Sequence, residues 1–370
     1  MNEKLCRWGI LGTATIARKN WQSIHNSGNS MLVGVASRNV ERSTQYIAEC
    51  QRQVPFDPVP RPFGSYEEMI ACDEIDAVYV PLPTSIRKEW VIRAAEAGKH
   101  VLCEKPCGVT AADLNEMIEA CAKNKVQFMD GVMFMHSRRM DLIREVLNDG
   151  SSVGQIKRIT SQFSFCADQD WLDSNIRTTS DLEPLGCLGD LGWYNIRFAL
   201  WTMNYEMPQR VSGRMLTELG QENSPSSVPG EFSGELFFAN GVSASFYCSF
   251  VTEHQQWVSI SGNKGQMRLH DFVLPFFNGE VAFDVSQPVF HFNGCQFNME
   301  HHKKRYAVHE YSNNMANSQE TNLFRKFSDV VLTSKLDQHW PNIALQTQSV
   351  MDACLASARS DGKMMEIETP

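Results

Sequence analysis

Between Arg7 and Asp130, short apolar runs alternate with longer segments whose apolar residues recur at helical spacing, and this rhythm limits the fold more than any other feature. Strands joined through helices run parallel, because a crossover helix carries the chain back to the end of the sheet from which it left. Strands are expected at residues 8–12, 31–37, 77–81, 100–103 and 127–130, with helices such as 89–98 and 111–122 between them. Residues 53–63 break the rhythm with Pro55, Pro58, Pro60 and Pro62. Proline lacks the N–H that a ladder or helix needs, so a surface loop is expected there. Residues 1–130 therefore read as an α/β unit with a doubly wound parallel sheet.

After about residue 150 the texture changes to strands that follow one another without intervening helices, as in an antiparallel or mixed sheet. Asn240-Gly241, between two alternating runs, supplies the positive φ angles of a tight hairpin, and Asn263-Lys264-Gly265 marks a second turn. A last helix is expected over residues 343–359. Residues 131–370 read as a C-terminal α+β domain with a large open, mostly antiparallel sheet.

Length agrees with two domains, since 370 residues exceed the roughly 150 of one ordinary domain. The net charge of −9 argues against a general nucleic-acid binder, which needs clustered Lys and Arg. The one short basic run, His301 to Arg305, reads as a solvated loop rather than a phosphate or metal site. No stretch approaches the roughly 20 apolar residues of a membrane helix, and the apolar run at residues 8–11 is too short for a signal-peptide core. The eleven cysteines show neither a Cys-x-x-Cys pair nor zinc spacing. They read as reduced thiols of a cytoplasmic protein without a metal centre.

Gly12-Thr13-Ala14-Thr15-Ile16-Ala17 closes the first strand and opens a helix. Read against Gly-x-Gly-x-x-Gly, Ala14 and Ala17 replace the second and third glycines of a dinucleotide-binding turn. Small residues there let the backbone approach a pyrophosphate, while the N–H groups and dipole of the helix start attract its charge. About twenty residues on, an NAD-selective Rossmann domain usually carries an acid for the ribose hydroxyl. Ser37 and Arg38 stand there instead, and an arginine suits the 2′-phosphate of NADP, with NAD as the alternative. Ligands bind at the carboxyl ends of parallel strands, so Lys105, directly after the fourth expected strand, should face the same crevice, with Glu104 as its counter-charge.

These residues, with Phe63-Gly64-Ser65-Tyr66-Glu67-Glu68, Pro81-Leu82-Pro83-Thr84 and above all Glu104-Lys105-Pro106, resemble the Gfo/Idh/MocA oxidoreductases, whose EKP motif the last three match. The likeness spans nearly the whole chain. Gly186-Cys187-Leu188-Gly189-Asp190-Leu191-Gly192-Trp193-Tyr194 resembles the second-domain motif, in which glycines precede an Asp and, four residues on, a His or Tyr. Residues four apart share a helix face, so Asp190 and Tyr194 would point at one site. Tyrosine in this place resembles the glucose-fructose oxidoreductase and dimeric dihydrodiol dehydrogenase branches.

The resemblance implies hydride transfer between a nicotinamide and a carbinol or carbonyl of a sugar, polyol or cyclic diol, with Lys105, Tyr194 and Asp190 as catalytic residues. It implies nucleotide contacts from Gly12, Thr13, Ala14, Thr15, Ile16, Ser37, Arg38, Pro81, Leu82, Pro83, Glu104 and Lys105. Tyr194 would exchange the hydroxyl proton, helped toward its phenolate by the Lys105 ammonium, and Asp190 would orient substrate hydroxyls or the lysine. Relatives often read Pro-x-x-x-His where this chain has Pro83-Thr84-Ser85-Ile86-Arg87, so a cofactor or substrate contact passes to Arg87 or is lost. His136, Arg138, Asn175 and Arg177 lie in stretches near the site, in directions the sequence leaves open. A homo-oligomer, dimer or tetramer, built through the open sheet is also implied. Two alternatives remain: a nucleotide-sensing regulator of the same fold, like the galactose-pathway repressors of yeasts, and a glycosidase with tightly held NAD.

Overall fold

In the computed structural model, which describes residues 4–367, the first sheet comprises β1 (Cys6–Leu11), β2 (Ser30–Ala36), β3 (Arg61–Phe63), β4 (Ala77–Val80), β5 (His100–Cys103) and β6 (Phe128–Asp130). All are parallel, in the order β3-β2-β1-β4-β5-β6. The connecting helices are α1 (Thr15–Asn26), α2 (Val40–Gln51), α3 (Tyr66–Ile70), α4 (Thr84–Glu96) and α5 (Ala111–Lys123). Three of them start where the sequence signals a start: the side chains of Asn39, Ser65 and Thr110 accept the N–H groups of Arg42, Glu68 and Asp113. Covered on both faces, β4 is buried along its whole length. The strand order reverses between β1 and β4, which opens a crevice at their carboxyl ends.

One expectation fails here. The loop predicted over residues 53–63 ends in β3, which pairs with β2. Proline is tolerated at a sheet edge, where its missing N–H costs no ladder bond, and Pro62 occupies that edge while Phe63 turns inward.

The second sheet has nine strands: β7 (Ile156–Cys166), β8 (Arg210–Leu219), β9 (Val228–Phe237), β10 (Ser243–Ser249), β11 (Val251–Gly262), β12 (Gln266–Leu269), β13 (Glu280–Asn293), β14 (Gln296–His309) and β15 (Met365–Glu366). Their order is β14-β13-β12-β11-β7-β10-β9-β8-β15, antiparallel except between β7 and β10. Both predicted turns form. Asn240 and Gly241 hold φ of 61° and 73° between β9 and β10, and the Gly262 N–H donates to the Gly265 carbonyl at 2.9 Å between β11 and β12.

The strands do not run uninterrupted. After α6 (Arg138–Asn148) and β7, the chain forms α7 (Gln169–Ser174), a π-helical turn at Leu188–Gly192 and α8 (Trp193–Thr202). Every residue of α8 is buried, so the helix has no polar face to give its sequence a helical period. The basic run His301 to Arg305 lies within β14 rather than in a loop, solvated as expected. Lys303 meets Asp284 at 2.8 Å across the pair. Beyond Ser286 and Lys303, β13 and β14 pair only with each other among the described strands. They form a two-stranded ribbon whose one face carries Phe290, Phe292, Phe297 and Met299.

Two helices follow, α9 (Gln319–Thr333) and α10 (His339–Arg359). The second starts four residues before the predicted 343, because Pro341 falls in its first turn, where no intrahelical N–H is needed. Helices α8 and α10 cover one face of the nine-stranded sheet. Helix α9 returns to the first sheet, where Trp8 packs against Phe324 and Phe327 with ring centres 5.1 and 5.0 Å away. The Trp8 indole N–H donates to Ser328 Oγ at 3.1 Å.

Candidate active site

The loops after β1, β4 and β5 converge with α8 and β7 on a cavity of about 690 Å³. Gly12 directly follows β1 at φ +105°, a backbone that favours glycine, and a Cβ there would sit 3.0 Å from Leu82. Helix α1 follows with Ala14 as its N-cap, which offers no side-chain acceptor; its carbonyl takes the Ala17 N–H at 3.0 Å, and the Thr15 and Ile16 amides are left open to a ligand. Thr13, Ala14, Thr15 and Ile16 line this end of the cavity, opposite Pro81, Leu82 and Pro83 from the loop after β4. Gly12 stands behind them.

Ser37 and Arg38 lie outside the cavity lining. The Ser37 hydroxyl donates to the Asn39 carbonyl at 2.5 Å and so shapes its own turn, while Arg38 is exposed. Arg42, which sequence reasoning did not single out, reaches the cavity from the next helical turn.

At the other end, Lys105 extends from the loop after β5. Its Nζ donates to Asp190 Oδ1 and to the Asp190 carbonyl, each at 2.6 Å. Arg177 brings Nε to 2.9 Å from the second carboxylate oxygen. This approach depends on Gly189 in the π-helical turn, where a Cβ would lie only 3.0 Å from the Pro106 ring. Burial pushes the Asp190 carboxyl up, but the charges of Arg177 and Lys105 outweigh it and hold the group well below the usual carboxylate range.

Tyr194 shares the site with Asp190, yet Lys105 faces its ring, with Nζ 4.7 Å from the ring centre. The hydroxyl points toward Met133 Sδ at 3.6 Å. Burial above all, then the charges of Glu104 and Asp190, push the phenol well above its ordinary value, against the opposing effect of Arg177. The expected drift toward phenolate is therefore reversed, because the lysine charge is spent on Asp190 and meets the ring rather than the oxygen.

Glu104 also departs from its expected part as the lysine's counter-charge. Its carboxylate accepts from the Tyr79 hydroxyl and from the Lys105 backbone N–H at 3.3 Å. Arg87 borders the cavity, but its guanidinium is buried and donates to backbone carbonyls, at 2.6 Å to Leu82 and 3.1 Å to Glu104. Of the residues whose direction was open, Asn175 and Arg177 line the cavity. His136 instead stacks on Trp340, and the Arg138 N–H donates to Glu310.

Met133, Phe163, Phe165 and His254 also line the walls. The alternation Phe163-Ser164-Phe165 was the one readable signal for two of them, since alternate residues of a strand share a face. His254 sits where the register of β11 against β7 slips, a bulge that no local sequence signal announces. Among the described residues no cluster of His, Cys, Asp and Glu could hold a metal ion. The open amides after Gly12 and the unpaired side of the Lys105, Asp190 and Arg177 group fit a dinucleotide running from the glycine turn to Tyr194.

Comparison with known proteins agrees with this geometry. Residues 6–132 match the family described as "Oxidoreductase family, NAD-binding Rossmann fold", and residues 140–268 match the "GFO/IDH/MocA C-terminal domain". Over 271 residues, 73% of this chain and 76% of the relative, the sequence is 30% identical to D-xylose 1-dehydrogenase (NADP(+)) 2 of Haloferax volcanii. It is 28% identical over 273 residues to trans-1,2-dihydrobenzene-1,2-diol dehydrogenase of Mus musculus, covering 73% and 76% of the two chains. Among solved structures, aldose-aldose oxidoreductase from Caulobacter crescentus shares the fold at a TM-score of 0.79 and 21% identity, over 98% of this chain and 100% of that one. The protein thus belongs to the Gfo/Idh/MocA oxidoreductases and is an NAD(P)-dependent enzyme of that family.

Proposed function

We propose that the protein is an NADP-preferring dehydrogenase or reductase acting on a CH–OH or carbonyl group of a sugar, polyol or cyclic diol. The observation that carries this reading is the Lys105–Asp190 pair beside Tyr194, at the far end of the cavity that starts at the glycine turn. The bound nicotinamide supplies the hydride acceptor or donor. Tyr194, a phenol at neutral pH, gives a proton to the substrate oxygen in reduction and recovers it in oxidation. Asp190 engages two of the three N–H donors of the Lys105 ammonium, which leaves the third to polarise the same oxygen. Phe163, Phe165 and Met133 offer an apolar wall to the carbon face of a ring.

The NADP preference rests on charge. No acid stands at the end of β2, and Arg38 and Arg42 both lie near enough to Tyr66 to oppose the upward effect of burial on its phenol. Two guanidinium groups beside the glycine turn suit a 2′-phosphate. The xylose and dihydrodiol relatives support the substrate class. We assign residues 1–130 to the nucleotide domain and 131–370 to the substrate and oligomerisation domain, in a cytoplasmic homo-oligomer built through the outer sheet face and the aromatic ribbon.

The test is a thermal-shift titration with NADP(H) and NAD(H), because a ligand that binds only the folded state raises apparent stability. Turnover of D-xylose and trans-1,2-dihydrobenzene-1,2-diol is then followed at the nicotinamide absorbance. A larger shift with NADP(H) and turnover of either probe are expected. Equal shifts would remove the NADP preference, and binding without turnover across a sugar, polyol and diol panel would return the chain to the nucleotide-sensing alternative.

A further inference from the structure

Arg87 stands on the first turn of α4, buried to 5% exposure, where a charge needs strong partners. Its Nε donates to the Leu82 carbonyl at 2.6 Å, in the loop after β4. One Nη donates to the carbonyls of Glu104, at 3.1 Å, and Pro106, the two residues that flank Lys105. The other Nη lies 4.0 Å from Glu183. Glu183 in turn accepts the Thr84 N–H at 3.1 Å and the Thr84 hydroxyl at 2.5 Å. One planar guanidinium thus joins the loop after β4, both sides of Lys105 and the segment that leads into the Asp190 turn. No other side chain has the five donors in a fixed fork that this requires. Lysine offers one nitrogen, and imidazole two that point apart.

We propose that Arg87 is a positioning residue for Lys105: by holding the carbonyls on either side of the lysine, it sets the ammonium against Asp190 without itself touching substrate or nucleotide. The proposal rests on the reading of Lys105 as the acting ammonium, although the placement itself is observable without turnover. A free Lys105 would leave Asp190 to Arg177 alone and remove the fixed donor beside Tyr194. Misplacing a catalytic group by about 1 Å costs on the order of a hundredfold in rate, so loss of the fork should reach kcat while the nucleotide still binds.

The experiment labels the nucleotide-free protein with acetic anhydride and follows Lys105 by peptide mass spectrometry in the native chain, Arg87→Lys, Arg87→Gln and Glu183→Gln. A thermal shift with NADPH confirms that each variant folds. Faster labelling of Lys105 is expected in both Arg87 variants, with Lys88 on the same helix as the unchanged control. Labelling of Lys105 at the native rate in a folded Arg87→Gln protein would overturn the proposal. So would a loss of NADPH affinity as large as any loss of kcat, which would make Arg87 a nucleotide contact.

In the turnover assay, Arg87→Lys should lower kcat in the native background and add nothing on top of Lys105→Met, since a residue that acts through the lysine has no effect once the lysine is gone. Additive losses would mean that Arg87 serves the fold generally. If labelling rises but kcat holds in both Arg87→Lys and Lys105→Met, the positioning stands and the catalytic reading of Lys105 falls.

Discussion

Tyr194 and Lys105 give the sharpest tests at the scale of single residues. Tyr194→Phe removes the proton donor and leaves the packing, so kcat should fall by about 10² to 10⁴ with the NADPH thermal shift unchanged. Because burial holds the phenol protonated, the reductive rate should stay level up to at least the ordinary tyrosine value of about pH 10, while the oxidative rate climbs with pH. A reductive rate that falls through neutrality would show that another group donates the proton. His136 gives a stability test. Burial first, then Lys326 and Arg197, lower its pKa well below the ordinary value, and its Nε2 has no partner. The unfolded chain takes up this proton below about pH 6.5 and the folded one does not, so His136 stabilises the fold above that value and its contribution is lost as the pH falls. Melting temperatures of His136→Phe measured between pH 8 and 5 should show a shallower acid slope than the native chain, about one proton less.

How far single residues were legible depended on range. Lys105, Asp190 and Tyr194 stand in motifs whose spacing is local, and the crevice rule aims Lys105 without knowledge of its partner. The actual partners of Glu104 and Arg87 are the Tyr79 hydroxyl on β4 and the carbonyls of the loops after β4 and β5, which no spacing along the chain reveals.

Among the elements, strand-helix alternation was readable because β1, β2, β4 and β5 are short, largely apolar strands, each joined to the next through a helix. β3 was hidden by Pro62, and α8 by its complete burial. The position of α8 is fixed instead by a charge pair with no exposure on either side: Arg197 Nη2 donates to Asp130 Oδ2 at 2.7 Å, and the Trp193 indole N–H reaches the same oxygen at 3.3 Å. Those two residues flank Tyr194, so the end of β6 clamps the helix that carries it. Breaking such a pair leaves one buried charge without a partner, and Asp130→Asn is expected to lower unfolding free energy by about 3–5 kcal/mol. Urea unfolding measures it, and a loss below 1 kcal/mol would mean that the helix is held by packing alone.

At the scale of the whole molecule, two sheets were foreseeable, as was the open face of the second. The ribbon beyond Ser286 was not, since the basic run His301 to Arg305 within it reads as a solvated loop and only the ladder shows that β12 stops short. An unsupported two-stranded ribbon is marginal in water. Phe290, Phe292, Phe297 and Met299, each more than half exposed, are therefore expected to lie against another copy. Phe292→Ser combined with Phe297→Ser should shift the mass measured by light scattering toward the monomer while nucleotide binding is retained. An unchanged mass would place the interface elsewhere.

The return of α9 to Trp8 bears on how the protein is made in a cell. A ribosome delivers an N-terminal segment well before its C-terminal partner, and chains of this size generally fold from the front as they emerge. Here the front sheet is short of a wall until Phe324, Phe327 and Ser328 leave the exit tunnel. For most of its synthesis the nascent chain leaves the Trp8 side of β1 uncovered, a demand on chaperones that a self-contained nucleotide domain would not make. A fragment ending at residue 130 should accordingly be insoluble alone and recover when a chain carrying α9 is supplied with it.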